Sequence, residues 1–336
     1  MKAAVFHDVC DIRVEDVPYP VVKPDGIIIK VKASGICGTD LLPYRQGVSD
    51  GLIFGHECCG DVVEIGDNVV GVTKGDRVIG MPLDVCRQCS RCKRKQFLHC
   101  FDVKMVGWHI PGAFAEFVSI PHYIENYTVT KLPEDLSYEE GSTVEPLSIA
   151  LYSVTKAQVQ PVDTVVVIGA GMIGLNVIQV LKTMGVSRII VSERRSKRLE
   201  MASQLGADVV VDATKHDVVS VIKDSGSGRE VDVVFECAGL PSTFQQSIDM
   251  VRPGGKVALI GVFEQAVSWS PNMAVLKDVT LIGCLGEDFS GAIDLLQTGK
   301  VDTKPLISHE FPLDQAKEAF DIALEADNAI KVILKP

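Results

Sequence analysis

The chain carries Thr164-Val165-Val166-Val167-Ile168-Gly169-Ala170-Gly171-Met172-Ile173-Gly174 near its middle. Five β-branched residues in a row suit a strand buried on both faces of a parallel sheet. The apolar run Leu175 to Leu181 that follows reads as a helix. A G-x-G-x-x-G pattern alone is weak evidence, but strand, turn and helix in that order form a dinucleotide-binding turn. Gly169 permits the tight turn, Gly171 lets the backbone approach a pyrophosphate, and Gly174 lets the helix pack close to the strand. Ala170, Met172 and Ile173 complete the turn, and the helix N-terminus offers free N–H groups to phosphate.

Downstream the same grammar repeats. Apolar strands at Arg188–Ser192, 209–211, 231–235 and 256–260 alternate with amphipathic helices, one running from Lys197 to Leu205 and ended by Gly206. This order predicts a doubly wound parallel sheet. Glu193 ends the second strand, about 20 residues past the glycines, where a carboxylate binds the ribose hydroxyls of NAD. That favours NAD. NADP is the lesser alternative, through Arg194, Arg195 and Arg198. Cys237, in Cys237-Ala238-Gly239, lies at a strand end, where its backbone is expected to line the adenosine pocket.

Upstream the texture differs. Residues 1–130 read as short strands and Gly/Pro turns, including 27–33, 61–66 and 75–80. The chain end, 329–334, reads as a strand that pairs back into this first part. The predicted organisation is a mainly β domain, 1–150 with 285–336, around an α/β nucleotide domain, 151–284.

The chain has 336 residues, 46% hydrophobic and 23% charged, which is ordinary for a two-domain globular protein. Its net charge of −11 argues against a nucleic-acid partner. No apolar run reaches membrane-spanning length. Ten cysteines, without the density of a secreted disulfide scaffold, point to a reducing, cytoplasmic location.

Four of those cysteines, Cys86, Cys89, Cys92 and Cys100, follow a C-x2-C-x2-C-x7-C spacing. Four thiolates close a tetrahedral zinc site with no open position, hence a structural one. Lys93, Arg94 and Lys95 lie within the loop and offset its negative charge. An iron–sulfur cluster is the rival reading, and the spacing departs from the bacterial ferredoxin run.

Three separated pieces remain: Gly35-Ile36-Cys37-Gly38-Thr39-Asp40, Gly55-His56-Glu57, and Val144-Glu145-Pro146-Leu147. Singly they say little. Together with the nucleotide turn and the cysteine loop, the chain resembles the zinc-dependent medium-chain dehydrogenases of the alcohol dehydrogenase superfamily. The strongest likeness is to the polyol (sorbitol) and threonine dehydrogenases.

The resemblance implies a GroES-like catalytic domain beside a Rossmann-type domain, two zinc ions per chain, and hydride transfer between a secondary alcohol and a nicotinamide. It implies a catalytic zinc on Cys37, His56 and Glu57, with Glu145 binding the metal or its water. Thr39 matches the hydroxyl that starts proton removal, and Asp40 an aspartate that orients the histidine. Val262 falls where the family backbone approaches the nicotinamide. Leu42 stands where threonine dehydrogenases carry a histidine, and the stretch 284–290 lacks the arginine of sorbitol dehydrogenases. His109 is the candidate substrate-facing replacement, and Tyr44 a further substrate contact. The resemblance also implies a homodimer or homotetramer. The alternatives are an amino-alcohol dehydrogenase, a zinc-free quinone reductase, or a non-enzymatic protein of this fold.

Overall fold

The computed structural model describes residues 1–47, 51–81, 83–224, 230–325 and 327–336. It divides into two compact units. One comprises Met1–Glu145, Phe289–Gln297 and Asp302–Pro336; the other comprises Pro146–Asp288 and Thr298–Val301. The helix Val144–Ala157 crosses that boundary near its start.

In the second unit, the continuous Val/Ile runs become an all-parallel sheet. Among the described residues it has six strands, in spatial order 209–212, 188–193, 164–168, 231–236, 251–259, 280–283. The chain starts in the third position, winds to one edge and then crosses to the other side. Strand order therefore reverses beside Thr164–Ile168, and ligands of such sheets bind outside the carboxyl ends of the strands at that point. The central strand is buried throughout, as its composition requires. Val166, Ile190, Val234, Ile248 and Val257 form part of the core beneath the helices.

Among the described residues the first unit is built on a seven-stranded sheet in which Ile27–Gly35 is flanked by Glu57–Ile65 on one side and the C-terminal strand Lys331–Lys335 on the other. Phe117–Ile120 also pairs with Ile27–Gly35. The return of the chain end into this sheet makes the unit discontinuous in sequence. An N-terminal hairpin, Lys2–Asp8 with Asp11–Asp16, packs Phe6 edge-on against Tyr44, Phe54 and Phe320. That aromatic cluster closes one end of the unit's core.

Candidate active site and four-cysteine lobe

Register brings the first donor cluster together. Gly35 pairs with Glu57 in the antiparallel ladder between Ile27–Gly35 and Glu57–Ile65. Cys37 lies just beyond one strand's end and His56 just before the other's start, so both emerge at the same end of the sheet. Cys37 is also the N-cap of the helix Gly38–Gln46, where its N–H donates to the Asp40 carboxylate at 2.9 Å. Donor atoms of Cys37, His56 and Glu57 all lie within 4.8 Å of one another.

Buried polar atoms around this cluster fit a metal. His56 Nδ1 and Asp40 Oδ1 face each other at 3.4 Å, and neither has a closer hydrogen-bond partner. A carboxylate on Nδ1 fixes the ring and leaves Nε2 as the nitrogen for a metal. Burial alone would push the His56 imidazole down, but the Asp40 carboxylate and Cys37 sulfur hold it well above its usual range. Three ligands with an open position is the catalytic zinc pattern, and one sulfur, one imidazole and one carboxylate suit that ion.

Glu57 has a partner that no motif announced. Lys331 Nζ donates to Glu57 Oε2 at 2.5 Å and to the Ile36 carbonyl at 3.0 Å. Both side chains are almost wholly buried, at 3% and 1% exposure. Ile333 pairs with Gly35, so Lys331 overhangs the same strand end as Cys37. The missed signal was the lone lysine in the otherwise apolar 329–334 run.

Glu145, at the start of its helix, is buried beside the same group. Burial first, then the Glu57 carboxylate, push its carboxyl up to about 7, while His56 and Lys331 oppose this. Thr39 is half-buried in the first turn of the helix after Cys37. His109 stays outside the donor cluster. It is exposed in a tight turn, its Nδ1 accepting from the Met105 N–H at 3.0 Å.

Tyr44 requires a correction. Its ring is fully buried in the aromatic core, and its hydroxyl donates to Asp321 at 2.7 Å. The helix turns that face inward to the N-terminal hairpin, so Tyr44 is a packing residue rather than a substrate contact.

The second donor cluster is Cys86, Cys89, Cys92 and Cys100. Sulfurs about 2.3 Å from a common tetrahedral ion stand about 3.8 Å apart. The Cys86–Cys92 and Cys89–Cys100 separations are 4.0 Å, and Cys86–Cys100 is 3.5 Å. Backbone N–H groups of Cys86, Cys89, Cys92 and Asp102 point at these sulfurs at 3.4–3.5 Å. The N–H groups of Cys92 and Phe101 bring the Cys89 thiol down to about 6. The loop thus gathers four cysteine sulfurs, the donor set a structural zinc takes.

In the other unit, Gly169 takes a left-handed φ of +91°. A Cβ on Gly174 would stand 1.9 Å from the Gly169 carbonyl oxygen. A Cβ on Gly171 would meet only Arg198 Nη1, at 3.6 Å, so the backbone there is open to a ligand. Glu193 is buried. It accepts from the Ala170 N–H at 2.8 Å, and from the Arg194 and Arg195 N–H groups at 2.6 and 3.0 Å. These bonds tie the second strand's end to the glycine turn. The Cys237 N–H donates to the Ile168 carbonyl at 2.9 Å. The turn it begins touches the one carrying Val262, since a Cβ on Gly239 would lie 2.4 Å from the Val262 oxygen. All of these groups gather at the carboxyl ends of neighbouring strands.

Residues 23–134 match the family model of the alcohol dehydrogenase GroES-like domain, and residues 173–298 that of zinc-binding dehydrogenases. The chain is 33% identical over 347 residues to a sorbitol dehydrogenase of Bacillus subtilis, covering 100% of this chain and 97% of that one. It is 35% identical over 330 residues to an L-threonine 3-dehydrogenase of Pyrococcus abyssi, covering 95% of this chain and 92% of the relative. A solved zinc-binding dehydrogenase from Sinorhizobium meliloti, bound to NADP, superposes with a TM-score of 0.88 at 30% identity, covering 100% and 99% of the two chains. With its donor clusters and glycine turn in the register described, the chain belongs to the zinc-dependent medium-chain dehydrogenases of the alcohol dehydrogenase superfamily, oxidoreductases acting on alcohol groups.

Proposed function

We propose that the chain oxidises a secondary alcohol of a small polar substrate, such as a polyol or sugar acid, with NAD as hydride acceptor. The observation that carries this is the cluster of Cys37, His56 and Glu57, a thiolate, an imidazole and a carboxylate within reach of one ion. These three would hold a catalytic zinc, and the four-cysteine loop a structural one. When bound, the zinc supplies Lewis-acid stabilisation of negative charge on the substrate oxygen and the nicotinamide supplies the hydride acceptor.

The chain's own residues do the rest. Asp40 orients His56. Glu145 lies beside the cluster, where a carboxyl near neutrality can hold or release a proton. Thr39 takes the substrate's hydroxyl proton. His109 is the candidate contact to the far end of the substrate. Gly169 to Gly174 cradle the pyrophosphate, Arg198 stands beside Gly171, and Cys237 and Val262 line the dinucleotide. Glu193 ends the second strand, the position from which a carboxylate binds ribose hydroxyls, and that position supports NAD over NADP. An amino-alcohol substrate is the second reading, supported by the 35% identity to the threonine dehydrogenase.

Two further points belong to this reading. The edge strand Thr280–Gly283 carries exposed Leu281, with Val275 and Leu276 exposed on the helix before it. An uncovered apolar edge is a template for pairing, here with a second copy, giving a homodimer or a homotetramer built on it. Thiolate ligands require reducing surroundings, which supports a cytoplasmic location. Among the described residues no helix is long and apolar enough to cross a membrane.

The test is a screen of metal-quantified protein. NADH absorbance is followed against polyols, sugar acids, hydroxy amino acids and simple alcohols, with chelator controls. Activity on polyols or sugar acids that disappears with the metal is expected. Activity insensitive to complete zinc removal overturns the reading.

A further inference from the structure

We infer that Lys331 is a positioning residue that competes with the metal for Glu57 and keeps one coordination position open. The inference rests on the reading of Cys37, His56 and Glu57 as a zinc site.

Three observations carry it. First, Lys331 Nζ takes Glu57 Oε2 at 2.5 Å, with both groups buried, so that oxygen is committed to an ammonium. Second, the lysine is itself fixed: its Nζ also donates to the Ile36 carbonyl, one residue before Cys37, and the Ile36 N–H donates to the Val332 carbonyl. The C-terminal strand thereby clamps the segment that delivers the thiolate. Third, the space for this pair is made by Gly35, where any Cβ would stand 2.2 Å from Glu57 Oε2 and 3.3 Å from Lys331 Cδ.

A carboxylate can offer a metal one oxygen or two. With an ammonium bond already on Oε2, Glu57 favours binding through Oε1 alone over binding through both oxygens. A cation at Cys37, His56 and Glu57 then keeps a vacant position, which catalytic zinc sites need. Without the ammonium, both oxygens turn to the metal, because a buried carboxylate must find a counter-charge. The result is a more saturated and more tightly held ion.

The sign of the effect distinguishes this from a merely structural role. Losing a structural contact would loosen the site and speed metal loss. Losing a competitor slows it.

The experiment compares wild type and Lys331→Met, each loaded with zinc or cobalt. It reads zinc release to a chelator, the visible spectrum of the cobalt form, and kcat against KM. The Cys37→Ser variant identifies the release phase of the four-cysteine loop. Expected for Lys331→Met are release from the Cys37 site slowed about tenfold, the size but not the direction that loss of an outer partner usually gives, weaker visible absorption from a higher coordination number, and a fall in kcat without a matching rise in the KM for NAD. Unchanged or faster release with an unchanged cobalt spectrum overturns the inference. If Lys331→Met does not fold, the double variant Glu57→Gln/Lys331→Met is compared with Glu57→Gln alone. Release rates within about twofold, the ordinary limit of additivity, support action through Glu57, and a larger difference overturns it. Wild type that binds zinc only in the four-cysteine loop would instead refute the proposed function.

Discussion

Gly35 stands directly across the ladder from Glu57, and a Cβ built on it would lie 2.2 Å from the Glu57 carboxylate. The absence of a side chain at one position thus admits a buried ion pair at another. Gly35→Ala should push the whole Glu57 carboxylate out of the donor cluster, because the added Cβ overlaps Oε2. The expected outcome is loss of the zinc held at Cys37 and destabilisation of about 1–3 kcal/mol, the usual cost of overpacking. Metal content and urea unfolding check it; full zinc occupancy with unchanged stability would contradict it.

The two donor clusters should separate by mutation. Cys37→Ser is expected to remove one of two zinc ions and abolish activity with little change in stability. Cys89→Ser should remove the other and lower stability substantially, because the loop folds around its metal. Metal analysis alongside calorimetry reads both, and one shared loss in either variant would refute two independent sites.

Glu145 makes a pH prediction for the metal-free protein. Burial raises its carboxyl from an ordinary 4.5 to about 7. The folded state therefore keeps a proton that the unfolded chain has already released. The associated stability is fully present below about pH 4.5 and lost as pH rises through about 7. Glu145→Gln should match wild type at low pH and gain up to about 3 kcal/mol at pH 8. Denaturant unfolding of chelated protein at several pH values measures this, and a pH-independent difference would count against it. In the zinc-loaded enzyme the same variant should lose activity.

The glycines of the nucleotide turn should respond in opposite ways. Gly174→Ala places a Cβ 1.9 Å from a backbone carbonyl. Its melting temperature should fall sharply. Gly171→Ala meets only the tip of Arg198 and should fold normally. Its KM for the dinucleotide should nevertheless rise at least about tenfold, because the pyrophosphate can no longer approach the backbone. Equal melting temperatures for the two variants would overturn this assignment of roles.

Glu193→Ala should raise the KM for NAD by about tenfold or more and move preference toward NADP, since Arg194 and Arg198 remain. It should also cost about 1–3 kcal/mol, because it strands N–H groups that the carboxylate now satisfies. Paired kinetics with both dinucleotides test the first part, and thermal unfolding the second.

Much of this molecule is written locally. Runs of Val and Ile, glycines at turn spacing, and cysteines at ligand spacing are short-range patterns, and each dictates a local geometry whatever surrounds it. The parallel strands, the glycine turn and the clustering of four cysteines were therefore legible from residues a few positions apart, as was the return of the 329–334 strand. Tyr44 shows the limit. Read from sequence it is a substrate contact, but which face of the Gly38–Gln46 helix meets the core depends on a hairpin at the chain's start. Lys331 shows it more strongly. It lies 274 residues from Glu57, and only the pairing of the last strand against Ile27–Gly35 brings the two together. Local pattern specifies the strands and helices, the glycine turn and the candidate donor residues. Which oxygen of Glu57 is taken, and what neutralises it, follows from the fold, because a buried charge finds its partner by strand register, not by sequence distance.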